Sequence, residues 1–532
     1  MKRPFFCCLA GVLFVALCAQ GAEMDNVGTL FTPVLEWSVD NPDWDGNPFD
    51  VIASATFTHT ASGEQRRVGM FYDGGATWKF RFSGTRLGEW TFTTGGDDPD
   101  LSGHAGTVTI KPNPDPDAYG FVTTVPSGGL AKRAQSPGEG GVWHVGNKWA
   151  RYTSSGDLET FVPHFRMGFE KSNFNWSSSE IDGWLNKWMG DEGFNGVHVF
   201  MAGYWVNRDG GSTFENRDPD NRSFDILEDM IKKIHNRGGV THIWYCGDCA
   251  RSQCPQAGFG DNGAATEGEK KLLRHIGSRL GPLPGWIMGY GYDLPEHVNT
   301  SELRGWGNYL RDNMAYDHML GARDQGGNIN YSLWPEADFY SRGHWFGGQS
   351  YSDIVGVLNS NSNKAHSNDE RWYDSRLGNE ENLRRQMWDC NIAGGMSAIF
   401  GHKGDWEKDA YSNPQWFKTC FTFWDHRLFP SMAPDNGLTN GKCLITSDKT
   451  RAIFYKESTD KVEMNLSGFN GKLSAVAVDA KKNYEEIDVS ISKSDMTWEA
   501  PYSSDWAIAV GEGDAPQPQP EDDTPPSAPS NL

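Results

Sequence analysis

The chain is short of cationic charge, of cysteine and of long apolar runs, and each shortage removes a class of protein. Lys and Arg number 48 against 70 Asp and Glu, a formal net charge of -22. Nucleic-acid binding needs clustered Lys and Arg facing phosphates, so that class is excluded. An anionic membrane surface is disfavoured for the same reason, whereas an anionic sugar is not, because Arg and His can gather in one cleft. Beyond the leading segment no stretch is long and apolar enough for a transmembrane helix. There is no glycine-rich phosphate fingerprint after a strand, no Ser-His-Asp elbow and no His-Glu-x-x-His. No cluster of ligands demands a metal ion, and no cofactor is expected.

Of 9 Cys, Cys7, Cys8 and Cys18 belong to the first residues, which read as a secretory signal. Lys2 and Arg3 form its charged region, Phe5 to Cys18 its apolar run, and Ala19-Gln-Gly-Ala22 a small-residue cleavage region. Leu17 stands where a lipobox has Gly, Ala or Ser, which speaks against lipidation at Cys18. Residues 1–22 are therefore expected to be removed, and the protein to be secreted, periplasmic or held at a bacterial cell surface. In that compartment Cys246, Cys249, Cys254, Cys390, Cys420 and Cys443 suggest a disulfide and a leftover thiol. Zinc at His242, Cys246, Cys249 and Cys254 would require a well-placed set of four ligands.

What the chain does have is aromatic residues, with 22 Trp, 29 Phe and 17 Tyr. Residues 23–125 alternate in short runs such as Trp78-Lys-Phe-Arg-Phe82 and Trp90-Thr-Phe-Thr93 between Gly, Asp and Asn turns, which predicts a β-sandwich. Over 140–432 buried strands such as Asn195-Gly-Val-His-Val-Phe-Met201 and Gly239-Val-Thr-His-Ile-Trp-Tyr245 alternate with amphipathic helices such as Phe224 to Ile234. That alternation predicts an α/β architecture, a (β/α)8 barrel. Residues 436–512 return to short strands and predict a second β-sandwich, and 513–532 read as a proline-rich linker.

Barrels carry their chemistry where strands end. Counting units, Trp286-Ile-Met-Gly-Tyr-Gly-Tyr-Asp293-Leu-Pro-Glu296 is the fourth strand with the loop at its end. Counting back from Gly395-Met-Ser-Ala-Ile-Phe-Gly401, Glu370 comes after the seventh. Glycosidic hydrolysis needs two carboxyl groups flanking the bond, one to protonate the leaving oxygen and one to attack or to activate water. Asp293 and Glu370 are the candidate pair, with Glu296 the alternative to Asp293. Aromatic and polar candidates for holding sugar rings are Tyr204 and Trp205 after the second strand, Trp244 and Asp248 at the third, and Arg323 (beside Asp324) near the fifth. Trp345 and Tyr351 flank the sixth, Trp372 lies just beyond Glu370, and His402, Lys403 and Trp406 come after the eighth.

On these residues the chain resembles a known group. Its N-terminal sandwich is similar to the immunoglobulin-like domain of unknown function 5060. The barrel resembles clan A glycoside hydrolases, in particular the apiosidase-like family 140. Gly291-Tyr-Asp293 is similar to the family's fourth-strand motif, and Asp369-Glu370, Arg384-Arg385 and Ala393-Gly-Gly395 to its seventh-strand, helix and eighth-strand motifs. The resemblance implies Asp293 as acid/base, Glu370 as nucleophile and retention of anomeric configuration. Leu294-Pro-Glu296 and Asn368-Asp369 depart from the family pattern, so the substrate need not be apiose-linked. An algal galactan of carrageenan or agar type is the first expectation for the polysaccharide, and a pectic or hemicellulosic chain the second. The competing expectations are a non-catalytic carbohydrate-binding or adhesion protein and a polysaccharide lyase.

Overall fold

The computed structural model describes residues 24–125, 146–169, 175–208, 218–246, 267–291, 300–324, 334, 336–342, 350–360, 364–368, 379–401 and 411–511. Its first unit holds β1 (Asn26–Thr29), β2 (Leu35–Asp40), β3 (Ala53–His59), β4 (Gln65–Gly69), β5 (Phe71–Gly74), β6 (Thr77–Phe82), β7 (Gly88–Gly96) and β8 (Ala105–Lys111). They make two sheets, β1-β8-β7-β3-β4 and β2-β6-β5, packed as the expected sandwich. Alternation decides which faces meet. On β7 Trp90, Phe92 and Thr94 are buried while Glu89, Thr91 and Thr93 face water. Phe57 of one sheet stacks on Phe82 of the other at 4.2 Å.

Next come β9 (Val122–Val125), β10 (Lys148–Tyr152) and β11 (Leu158–Thr160), a separate three-stranded sheet. Val122 to Val125, expected in the sandwich, instead pair with β10. This sheet closes the base of the barrel. Trp149 on β10 is fully buried among the rings of the barrel interior and donates its Nε1 hydrogen to the carbonyl of His366 at 3.0 Å.

The barrel is the predicted one. Its strands, in order around the ring, are β12 (His164–Phe169), β13 (Gly196–Phe200), β14 (Val240–Trp244), β15 (Trp286–Gly289), β16 (Leu320–Asp324), β17 (Phe339–Arg342), β18 (Ala365–Asn368) and β19 (Ser397–Phe400). All are parallel, and β19 pairs back to β12, so no edge remains. Around it lie α1 (Ser178–Leu185), α2 (Asn221–His235), α3 (Glu267–Arg279), α4 (Thr300–Asp312), α5 (Tyr351–Ser360), α6 (Glu380–Ile392) and α7 (Pro414–Trp424). Helix α2 shows why the sequence turns helical here. Phe224, Leu227, Met230, Ile231 and Ile234 bury one stripe, Asp220 caps the first turn by accepting from the Arg222 amide, and Lys232 and Lys233 meet the negative end of the helix dipole.

The last unit contains β20 (Met432–Pro434), β21 (Lys442–Thr446), β22 (Arg451–Asn465), β23 (Ser474–Asp479), β24 (Ile487–Asp488) and β25 (Asp495–Gly511). These form one antiparallel sheet in the order β20-β21-β22-β25-β23-β24, the expected C-terminal β-domain. The long β22-β25 ribbon shifts register between Lys456 and Lys461. Beyond the shift Val462 and Met464 pack with Ile445, Phe454 and Trp506 of the nearer half. The ribbon therefore folds over its own sheet, and a sandwich-like core arises from continuous strands.

The sandwich is fixed to the barrel by a buried ionic cluster. Glu228 of α2 receives Arg81 of β6 at 2.8 Å and Arg279 of α3, and Arg81 also donates to the Arg279 carbonyl at 2.7 Å. Burial alone would raise the Glu228 pKa, but the two guanidiniums outweigh it and hold the carboxyl at about 2. Glu228→Gln removes the carboxylate that two buried guanidiniums share, leaving Arg81 with Glu36 and Arg279 with Asp225, and is expected to destabilise the protein by about 1–3 kcal/mol in urea titrations at pH 7. Because the folded pKa lies below the unfolded one, this contribution is complete above about pH 4.5 and fades as pH falls toward 2, so the gap between wild type and variant should narrow over that window.

Candidate active site

Strand parity fills the barrel interior with Phe165 and Met167 of β12, Phe200 of β13, Val240 and Trp244 of β14, Ile287 of β15, Phe339 of β17 and Ile399 of β19. Val197, Val199 and Ile243, one residue out of phase, face the helices. Two polar side chains share the inward parity. His198 and His242 sit on neighbouring strands, fully enclosed, with their Nδ1 atoms 3.2 Å apart. Phe165, Phe339 and Trp244 ring them, and the Trp244 indole stands edge-on to His198 at 4.0 Å. Burial pushes His242 down to about 3; burial and the neighbouring ring push His198 well below the usual imidazole value. Both are therefore neutral, and one donates through Nδ1 to the other. Each Nε2 is left without a hydrogen-bond partner among the described residues.

Glycine shapes the strand that leads to Asp293. A Cβ at Gly289 would lie 3.2 Å from Trp244 Cδ1 and 3.3 Å from His242 Nε2, so the rings of β14 rest against bare backbone. Gly291, at φ 151°, could not carry a side chain, because its Cβ would fall 2.6 Å from the Cys246 carbonyl oxygen. Counting of units holds throughout: β15 is the fourth strand of the ring and β18 the seventh. β15 ends at Gly289 and β18 at Asn368. Asp293, Glu296 and Glu370 lie outside the described residues, as do Asp248, Trp345, Trp372, His402, Lys403 and Trp406.

The described candidates divide. Trp244 is in the barrel interior, 2% exposed, and forms the floor beneath the strand ends rather than a wall. Trp205 is a correction. It is fully buried between barrel and helices, packs on Phe224 at 5.3 Å and donates Nε1–H to the Tyr245 carbonyl at 2.9 Å, leaving no face for a sugar. Tyr204, in the same short turn (Ala202–Trp205), belongs to the same core and is 8% exposed. Tyr351 is a second correction. It opens α5 but faces the C-terminal unit, its hydroxyl donating to Asn436 Oδ1 at 3.2 Å and Lys442 Nζ lying 5.4 Å from its ring centre. Arg323 lies on β16 with its backbone in register with Ser341. His198 is absent from the sequence candidates and His242 enters them only as a zinc ligand, although a His at inward parity inside Val197-His-Val199 and Thr241-His-Ile243 is a legible sign of a polar floor.

No disulfide or zinc group forms among the described residues. Cys246, Cys390, Cys420 and Cys443 are thiols inside hydrophobic clusters, while Cys249 and Cys254 lie outside the described residues.

Residues 33–97 match the model of a domain of unknown function, DUF5060. Among curated proteins no sequence matches the chain. Among solved structures, an inferred glycoside hydrolase from Bacteroides vulgatus superposes with a TM-score of 0.69 at 15% identity, covering 92% of this chain and 99% of that one. A glycoside hydrolase of family 5 from the same organism gives 0.53 at 15% identity, over 69% and 91%. A third structure, named a glycoside hydrolase, gives 0.51 at 14% identity, over 74% and 99%. At such identities these likenesses establish the fold, and for the first of them over nearly the whole length of both chains.

The enclosed imidazoles make a pH prediction. Burial lowers His164, His235 and His318 to about 4 and His242 to about 3, and also depresses His198 and His275. Their folded pKa values lie below the unfolded value of about 6.5, so unfolding takes up protons and stability falls as pH drops through 6.5 toward 4. Each protonating histidine contributes a slope of up to about 1.4 kcal/mol per pH unit. Urea midpoints measured from pH 7.5 to 5 should therefore decline steeply; a flat profile would mean that the imidazoles are charged in the fold.

Proposed function

We propose that the protein is a glycoside hydrolase that cleaves a plant or algal polysaccharide with Asp293 and Glu370. The observation that carries this reading is the closed barrel, in which β15 and β18, the strands that precede these carboxylates, stand three places apart in a ring of eight. Likeness in fold to structures named as glycoside hydrolases supports the reaction class. Resemblance of the strand-end motifs to clan A and to the apiosidase-like family 140 supports the assignment of roles.

In the retaining mechanism the Asp293 carboxylic acid gives its proton to the glycosidic oxygen as the Glu370 carboxylate attacks the anomeric carbon. The leaving sugar departs with that proton, and a glycosyl ester on Glu370 remains. Asp293 then takes a proton from water, whose oxygen displaces Glu370 and restores both groups. Such chemistry needs the two carboxyls about 5–5.5 Å apart. The leading segment, Lys2 to Ala22, supports export, which places the enzyme where extracellular glycans are met. An algal galactan of carrageenan or agar type is the proposed substrate class, ahead of pectic or hemicellulosic chains.

Reducing-end release from a panel of carrageenan, agar, pectin and hemicellulose tests this directly. One glycan should be cut by the wild type, with Glu370→Gln and Asp293→Asn each reduced at least about 100-fold and Glu296→Gln near wild type. Proton NMR of the first-formed anomer should show retention. Full activity in both variants would remove the assignment, and a product with the new ultraviolet absorbance of an unsaturated sugar end would mean elimination by a lyase instead.

A further inference from the structure

A cavity of about 340 Å³ lies in the seam between the N-terminal sandwich and the outer flank of the barrel, beside the C-terminal halves of α3 and α4. It is remote in kind from the barrel mouth, because helix C-termini lie toward the end of the barrel where strands begin. The volume falls within the roughly 300–1,000 Å³ of small-molecule sites. The seam here is tight elsewhere: a Cβ on Gly69 of β4 would fall 2.1 Å from Ser278 Oγ of α3, so the opening is a local feature between closely packed elements.

Its lining combines three kinds of group. Phe49, Tyr72 and Tyr309 present half-buried rings, the first two edge-to-face at 5.1 Å. Arg67 on the sandwich side donates Nε–H to Ser54 Oγ at 2.9 Å, and Arg274 on the barrel side donates Nη1–H to the Tyr309 hydroxyl at 2.9 Å. Neither guanidinium makes a direct ion pair among the described residues, Arg274 being drawn to Glu267 only at longer range, although the chain carries a net charge of -22. Lys271 nearby is by contrast paired with Asp50 at 2.7 Å and Asp218 at 2.8 Å. Finally His275, only 6% exposed, lines the cavity with a buried Nε2 that has no hydrogen-bond partner among the described residues. One carboxylate, Asp312, shares the lining.

We infer that this seam is a second, non-catalytic saccharide site that takes an anionic sugar unit, a sulfate ester or a uronate. The rings supply faces for a pyranose, the two open guanidiniums form bidentate contacts to a planar or tetrahedral oxyanion, and His275 Nε2 meets a hydroxyl. Arg67 is exposed at the rim and Arg274 half-buried, so an anion entering the cavity meets cationic side chains from both the sandwich and the barrel. The site rests on both the sandwich and the barrel, so occupancy also clamps the two units. It contains neither Asp293 nor Glu370 and is independent of the roles assigned to them.

Calorimetric titration of the full-length Glu370→Gln protein with a carrageenan tetrasaccharide, its desulfated counterpart and a galacturonate oligosaccharide tests it. A sulfated or uronate ligand should bind, and the desulfated one at least tenfold more weakly. The Arg67→Ala/Arg274→Ala variant should lose one binding site per chain, and Asp312→Asn should tighten binding at that site. Both variants lie at the surface of the seam, and an unchanged melting temperature without ligand certifies their fold; Arg67→Glu alone serves as a second charge test. If the mouth binds none of these ligands, the stoichiometry in the parent is one and falls to zero in the double variant, which keeps this inference and leaves the hydrolase reading to the reducing-end assay. Unchanged stoichiometry and affinity in the double variant, or equal binding of the desulfated ligand, overturns the inference.

Discussion

Closure of the barrel is the constraint on which every other feature depends. Eight parallel strands joined without an edge enclose a space that their own inward side chains must fill, and one open end must be sealed. Here the filling is aromatic, and the seal comes from outside the repeat. The β9-β10-β11 sheet brings Trp149 against the carbonyl end of a barrel residue and against Phe339 at 5.5 Å. With the base closed, the strand ends are the other end of the interior, and they are where the proposed carboxylates follow β15 and β18. The His198–His242 pair is enclosed within that filling, on the second and third strands, and supplies polarity among aromatic rings.

Much of this is readable from pattern alone. The period-2 runs of β3, β6 and β7 and the alternation of buried strands with amphipathic helices are local signals, and they locate the sandwich, the barrel and the strand numbers correctly. Other features are not local. Val122 to Val125 look like one more sandwich strand, and only their pairing with Lys148 to Arg151 assigns them to the barrel base. The C-terminal unit reads as a β-sandwich from its alternation, but that its layers come from one bulged ribbon is not legible there; the register shift after Lys456 is a property of pairing.

Aromatic candidates expose a similar boundary. Trp205 and Tyr351 qualify because they come after strands two and six, and they do so in the structure. Position after a strand, however, does not determine the direction of a side chain. The turn from Ala202, at φ 40°, swings Trp205 back under α2, and the start of α5 turns Tyr351 to the C-terminal sheet. Trp244, by contrast, is within a strand, and strand parity alone sends it inward. Parity is a rule that sequence displays; turn geometry is not.

The two flanking units are attached in physically different ways, and that bears on how such chains are assembled over evolutionary time. The sandwich has its own core, to which Tyr152, Ala315 and Tyr316 are added from beyond residue 121 among the described residues, and it meets the barrel through the charges centred on Glu228 and a few ring contacts such as Phe71 on His275. The C-terminal sheet instead shares one core with α6 and α7. Trp388, Phe417 and Phe423 pack in the same cluster as Leu444, Ile453, Val478 and Ala509, with the buried Arg384–Asp505 pair alongside. A recombination break ahead of the barrel would separate a pair of finished cores, whereas a break near residue 430 would cut one core in half. The front of this architecture is thus free to be exchanged as a module, while barrel and C-terminal sheet must be inherited together.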